Sequence, residues 1–320
     1  MDNLTHSLVG ALIGQMGLKR KTGLAIPTLI IAANIPDIDA VATLLGGYQH
    51  LAIRRGITHG PIAMLVLPIV LWGTMLWYDR WQNRRGTRPE KRLPVDAKWL
   101  LALAYIGCLS HPLFDWFNSY GIRLLEPFSS QWFYGDTIFI IDIWLWSALV
   151  AGVWLSLRNE RAGKPNWRIP AMTSMAAIFL YIAANGLITG QAEQLTAKAV
   201  KDQLGIAPEL VVANPVPVQF WKREMLWRDA NHYGQGTFTA PDSIILDPKI
   251  GAHQIADAAA IAEMSRDKNT TAFLFWSRMP VLREEQRDAS KVRILSDQRF
   301  GNPLVQDRFS VILPAERAAK

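Results

Sequence analysis

Cysteine is nearly absent from this 320-residue chain. The single Cys108 lies inside an apolar run, which excludes an intramolecular disulfide framework and a cysteine-ligated zinc site. Charged residues make up only 19% of the chain, and they are unevenly spread. Residues 1–190 hold 17 Lys and Arg with 11 Asp and Glu, whereas the shorter stretch 191–320 holds 17 and 16. The chain is therefore not uniformly globular, and it is neither disordered nor coiled coil. Serine-nucleophile, P-loop and dinucleotide motifs are missing as well. A secretory signal is not expected, because no positive region precedes the first apolar stretch and Asp2 has the wrong sign.

What is present is apolar length. Half the residues are hydrophobic, and 13 are Trp. A bilayer core needs roughly 20 apolar residues as helix. Residues 24–45, 60–78, 99–117, 137–157 and 169–189 come close to that, and 4–18 forms a shorter sixth candidate. The sequence thus predicts an all-α polytopic membrane domain of five or six helices over 1–190. The net charge of +7 fits this reading better than nucleic-acid binding, for which no reader motif is found. Fourteen of the 17 basic residues before 190 fall in three clusters between apolar runs, at 19–21, 80–98 and 158–168. Placed in the cytoplasm, these clusters leave only Arg54, Arg55 and Arg123 in the outer loops. The N-terminus, the loops 46–59 and 118–136, and everything after 189 are then expected outside, with Trp132, Phe133 and Tyr134 at the outer interface.

Residues 191–320 read as a small α+β extracytoplasmic domain. A helix is expected over 191–204, and prolines at 208, 215 and 217 end it. Strand-like patterns follow at 216–227, 236–239, 243–246, 272–276 and 309–313, with a helix at 253–264. His232 and His253 lack a ligand partner at diagnostic spacing and read as surface residues.

The chemistry-bearing residues lie in the first 150. Ionisable groups inside membrane spans are costly and default to function. His6, Asp37, Asp39, His59, His111, Asp115 and Asp142 come from separate spans, yet the inferred topology gives them one depth, in the outer leaflet. Asp37 and Asp39 follow the helix-breaking Pro36, and His111 and Asp115 stand at i and i+4 on one helix face. Asp142 reads equally as a ligand or as a bridge to Arg123, and His50 is a weaker candidate. Asp136 and Glu126 are expected to be solvated. Imidazoles and carboxylates suit Zn²⁺ first, then Mn²⁺ or Fe, and seven candidates leave room for one or two ions.

The segments Leu4-Thr5-His6-Ser7, Ile35-Pro36-Asp37-Ile38-Asp39, Arg55-Gly56-Ile57-Thr58-His59 and Ser110-His111-Pro112-Leu113-Phe114-Asp115 resemble the YdjM-type inner-membrane metal-dependent hydrolases, over about residues 1–150. Tyr134-Gly135-Asp136-Thr137 through Asp142 is similar to the longer members, which carry an extra C-terminal domain. The family pattern often has His where Arg55 stands, and this departure removes position 55 from the expected ligand set. The His-x-x-x-Asp helix also resembles zinc phospholipase C. The resemblance implies a bacterial inner-membrane location and a hydrolase in which metal-activated water attacks an ester or phosphoester. His111 and Asp115 are its expected catalytic pair.

A site level with the head groups favours a lipid or lipid-linked substrate, with Arg54, Arg55, Arg123 and Asn118 as its binding groups. The metal site and the C-terminal domain would face the periplasm. A divalent-cation or proton transporter is the alternative, and the lack of acidic or His residues in the inner half of the spans counts against it. The other alternative is a non-enzymatic, metal-stabilised anchor for the C-terminal domain.

Overall fold

The computed structural model describes residues 1–252, 267–287, 290–301 and 306–313. The chain divides into two compact units, Met1–Asp39 with Arg55–Gly186, and Ala40–Arg54 with Leu187–Lys320. The second unit therefore takes in a short excursion that leaves the first at Asp39 and returns at Arg55.

The helices are α1 (Asn3–Gln15), α2 (Ala25–Ala32), α3 (Gln49–Ile53), α4 (Pro61–Arg85), α5 (Ala97–Trp116), α6 (Ile143–Arg161), α7 (Ile169–Leu204) and α8 (Lys268–Trp276). α1 begins where the Asp2 carboxylate accepts from the Leu4 and Thr5 amides. Glycine brings α1, α2 and α5 close together. A Cβ on Gly10 would meet the Leu29 carbonyl oxygen at 2.7 Å, and one on Gly107 would meet it at 2.9 Å. Val9, Leu12, Leu29, Leu103, Phe114 and Leu149 fill the core of this first unit.

Among the described residues, α4, α5 and α7 are long and apolar enough to cross a membrane. A fourth candidate is α2 joined to the 3₁₀ segment Ile35–Leu45. The span expected over 24–45, with its helix-breaking Pro36, is bent, and its two pieces meet at 42°. Pro36 has no amide hydrogen to continue the helix. Asn34 holds the break by donating to the Ile30 carbonyl at 2.8 Å and the Ser7 hydroxyl at 3.0 Å. α6 starts at Ile143 rather than at 137, since the Asp142 carboxylate caps it through the Trp144 and Leu145 amides. Of the five or six spans expected, length and apolarity thus support three, or four with the bent pair.

The second unit holds two small antiparallel sheets. In the first, β1 (Leu210–Pro215), β2 (Lys222–Arg228), β3 (His232–Thr239) and β4 (Ser243–Leu246) lie in that order, and β5 (Gly251–Ala252) pairs with β3. The second has the order β6 (Pro280–Arg287), β7 (Ser290–Asp297), β8 (Ser310–Ile312). Ala192 of α7 packs with Ala213, Met225 and Phe238 of the first sheet. The strand expected over 216–227 begins only at Lys222. Residues 272–276, expected as strand, belong instead to α8, whose start Asp267 caps through the Asn269 and Thr270 amides. So short an apolar run has no period of its own, and the cap decides. The helix expected over 253–264, with His253, lies outside the described residues.

The excursion is anchored within this second unit. The Tyr48 amide donates to Asn269 Oδ1 at 2.9 Å, and the Tyr48 hydroxyl donates to the Ser310 carbonyl.

Candidate metal centre

Asp37, His59, His111 and Asp115 each offer one ligand atom, and these atoms lie within 4.8 Å of one another. Asp37 follows Pro36 in the 3₁₀ segment beyond the bend. His59 closes the turn Ile57–His59, and His111 and Asp115 share a face of α5. His59, His111 and Asp115 are fully enclosed, whereas Asp37 is 8% exposed.

Fixed partners determine where the imidazole protons sit. His111 Nδ1 is 2.7 Å from the Ala33 carbonyl oxygen, which only accepts, so Nδ1 donates and Nε2 carries the lone pair. The Thr58 hydroxyl donates its one hydrogen to Asp39 Oδ2 at 2.8 Å, its strongest acceptor, and so receives the His59 Nδ1 hydrogen at 2.9 Å. His59 Nε2 then carries a lone pair too. The two Nε2 atoms face each other at 3.1 Å. Facing lone pairs repel unless a cation lies between them. Asp115 Oδ2 lies 3.5 Å from His59 Nε2 and 3.4 Å from His111 Nε2, and Asp37 Oδ1 is 3.8 Å from His111 Nε2. Two neutral imidazoles and two carboxylate oxygens form a four-donor set that fits a divalent metal ion.

Arg55 is built into this group. Its Nη2 donates to Asp115 Oδ1 at 3.1 Å, and its Nε is 3.0 Å from Asp115 Oδ2. Nη1 donates to Asn118 Oδ1 at 3.0 Å and to the Gly121 carbonyl at 3.3 Å, while Tyr120 stacks under the guanidinium at 4.6 Å. The residue is 3% exposed. Arg55 and Asn118, expected to hold substrate, are turned inward onto Asp115 and onto each other. The Arg55 amide also donates to Asp39 Oδ2 at 2.7 Å. Asp39, expected as a ligand, therefore braces the Arg55–His59 turn and is not one of the four.

The remaining expected site residues lie around or away from the group. His6 stacks on His111 with ring centroids 3.8 Å apart, and its Nε2 is 3.3 Å from Asp115 Oδ1. Its Nδ1 makes no hydrogen bond. The Met1 amino group also reaches Asp115 Oδ1. Asp142 remains at the start of α6, where Oδ2 accepts from the Tyr181 hydroxyl at 2.9 Å. Arg123 lies over Trp132 and pairs with Glu126 at 3.3 Å. Arg54 and His50 belong to the second unit. Asp136, expected to be solvated, is 3% exposed, because the Thr137 and Ile138 amides bond the Phe117 carbonyl and fold this segment onto the end of α5. Two contributors escaped sequence reading. Thr58 was detectable only as the neighbour of His59, and the Ala33 carbonyl left no signal.

The model of the YdjM inner membrane protein family matches residues 1–192. The chain belongs to this family. All four residues of the group fall inside the matched stretch, and both sheets lie beyond it. Family membership and the apolar helices together support a membrane location. A relative from Bacillus subtilis (strain 168), "Uncharacterized protein YfhP", is 26% identical over 144 residues, 41% of this chain. The match spans 39% of that relative's own length. No solved structure matches the chain.

Proposed function

We propose that the protein is a membrane-bound, metal-dependent hydrolase acting on an ester or phosphoester. The observation that carries this reading is the pair of Nε2 atoms facing each other at 3.1 Å and flanked by two carboxylates. A divalent ion, with Zn²⁺ preferred to Mn²⁺ or Fe, would be held by Asp37, His59, His111 and Asp115 and would supply Lewis acidity to activate a water. The chain's own groups do the rest. Thr58 and the Ala33 carbonyl fix which nitrogen each imidazole presents. Arg55 holds Asp115 in place through its Nη2 and Nε. Asp37 is the most exposed of the four.

The rim supports a lipid or lipid-linked substrate. Leu4, Ile38 and Ile57, which flank site residues in sequence, are 49%, 57% and 63% exposed. The three basic clusters support an orientation with the site on the periplasmic side.

The test is elemental analysis of purified protein beside a His59→Ala/His111→Ala variant, coupled to an ester and phosphoester release assay. Bound metal in the parent, lost together with hydrolysis in the variant, supports the reading. If the parent takes up no metal after incubation with Zn²⁺ or Mn²⁺, the facing nitrogens share a proton instead, and the hydrolase reading falls.

A further inference from the structure

A buried cluster of charge must come close to neutrality, because an unbalanced ion inside a protein is expensive. The side chains here carry three carboxylates, Asp37, Asp39 and Asp115, against one guanidinium, Arg55, and all four residues are at most 8% exposed. As metal ligands, the imidazoles of His59 and His111 must be neutral and add nothing to this balance. With the Met1 amino group, which reaches Asp115, counted as neutral the cluster is two negative charges in excess, and counted as ammonium it is one in excess, so a single divalent ion brings it within one charge of neutrality. A second divalent ion would leave the enclosure at least two charges positive.

The donors lead to the same number. A two-metal centre needs oxygens to spare, commonly a carboxylate shared between the ions. Asp115 is placed to be that shared group, but Arg55 sits along both its oxygens, with Nη2 to Oδ1 at 3.1 Å and Nε to Oδ2 at 3.0 Å. Asp39 is the other carboxylate within reach of His59, with Oδ2 at 3.6 Å from Nδ1. Its Oδ2 is drawn off by the Arg55 amide at 2.7 Å and the Thr58 hydroxyl at 2.8 Å. Nor can Arg55 easily swing away. Asn118 and the Gly121 carbonyl hold its Nη1, and Tyr120 lies under its plane at 4.6 Å.

We infer that the centre takes one divalent ion, and that the Arg55 guanidinium occupies the electrostatic place a second ion would take. This rests on the metal-centre reading above and narrows it. Arg55 is then a positioning residue that sets how many ions the site accepts.

Two measurements on the full chain in detergent test this. Equilibrium dialysis of metal-stripped protein against Zn²⁺ should saturate at one ion per chain. Protein loaded with Mn²⁺ should give the paramagnetic resonance spectrum of an isolated ion, without the denser pattern of an exchange-coupled pair. Saturation at two ions, or a coupled spectrum, would overturn the inference while leaving the metal centre intact. Saturation at none would remove the metal centre itself. In Arg55→Met the lost charge and the freed Asp115 oxygens should open a second, weaker uptake step, absent from Arg55→Lys. If a folded Arg55→Met variant still stops at one ion with unchanged affinity, Arg55 does not set the count.

Discussion

Asp297 in the second unit and Asp115 in the first are both fully buried against an arginine, but their surroundings differ in completeness. Asp297 Oδ1 accepts from the amide and Nε of Arg299, each at 2.9 Å. Its Oδ2 accepts from Arg299 Nη2 at 2.8 Å, from the amides of Arg278 and Met279 at 3.1 and 3.3 Å, and from the Ser277 hydroxyl. Every direction around that carboxylate meets a donor. Asp115 has its arginine too, with Nε 3.0 Å from Oδ2, but the other neighbours of that oxygen are two imidazole nitrogens, His59 Nε2 at 3.5 Å and His111 Nε2 at 3.4 Å. A buried charge that the protein closes with its own donors holds a fold together. A buried charge left open towards other electron-rich atoms marks a place for a cation.

One type of substitution, made in both places, should break the likeness. Asp297→Asn removes the charge that Arg299 requires and is expected to cost the second unit about 3–5 kcal/mol. Denaturant unfolding followed through Trp fluorescence would measure it, and bound metal should not change. Asp37→Asn should do the opposite. It removes one of several crowded negative charges, so the metal-free protein should be as stable as before, or more so. Its metal affinity should fall by more than about 100-fold, beyond the usual cost of losing an outer partner. If Asp37→Asn instead unfolds the first unit with metal affinity intact, the two carboxylates are alike and both are structural.

A finer cut concerns what surrounds the ligands. Thr58→Val keeps the shape of the side chain but leaves the His59 Nδ1 hydrogen without its acceptor, and it frees the ring to present the other nitrogen. Metal affinity should drop by about 10–100-fold, measured by competition with a chelating dye. An unchanged affinity would mean that Asp39, 3.6 Å from the same nitrogen, orients the ring without help.

The same contrast explains what could be read from the sequence. Apolar length picked out α4, α5 and α7, because a membrane imposes a composition over some twenty residues. The four clustered residues were visible because charge is rare in such runs. The break at Ala32 was less visible, since Pro36 announced a disruption without its angle, and Asn34 completes it through a contact with Ser7. The place of Arg55 was hidden for a different reason. Three of its partners, Asp115, Asn118 and Gly121, are distant in sequence, and an arginine in a loop ordinarily points to solvent. In the second unit, β6 reads as a charged segment. The pairing of Arg283, Glu284 and Glu285 with Ile294, Arg293 and Val292 of β7 makes it a strand, and only the partner strand reveals that.

The smallest expected effect is a pH dependence in the second unit, where Glu224 is displaced upwards and Asp297, with the partly exposed Asp229, downwards. Burial pushes the Asp297 carboxyl up, but Arg299 and the surrounding donors outweigh it and hold it below the usual range. A carboxyl that is more acidic in the folded state stabilises the fold above its unfolded pKa, about 3.9. That contribution is lost as the pH falls below this value towards the folded one. Glu224 is raised by burial, only partly relieved by the Asn214 amide 3.3 Å away. Its ionised form costs the fold stability at neutral pH, and the cost fades as the pH falls through its folded pKa, which lies above the unfolded value of about 4.3. The two slopes therefore oppose each other. Stability followed from pH 7 downwards should first hold or rise slightly as Glu224 takes up its proton, then fall as Asp297 does. Glu224→Gln should remove the first phase and raise stability slightly at pH 7, leaving the second phase in place. If the acid loss disappears with Glu224→Gln, Asp297 is not the group that closes the second unit, and the comparison with Asp115 fails on that side.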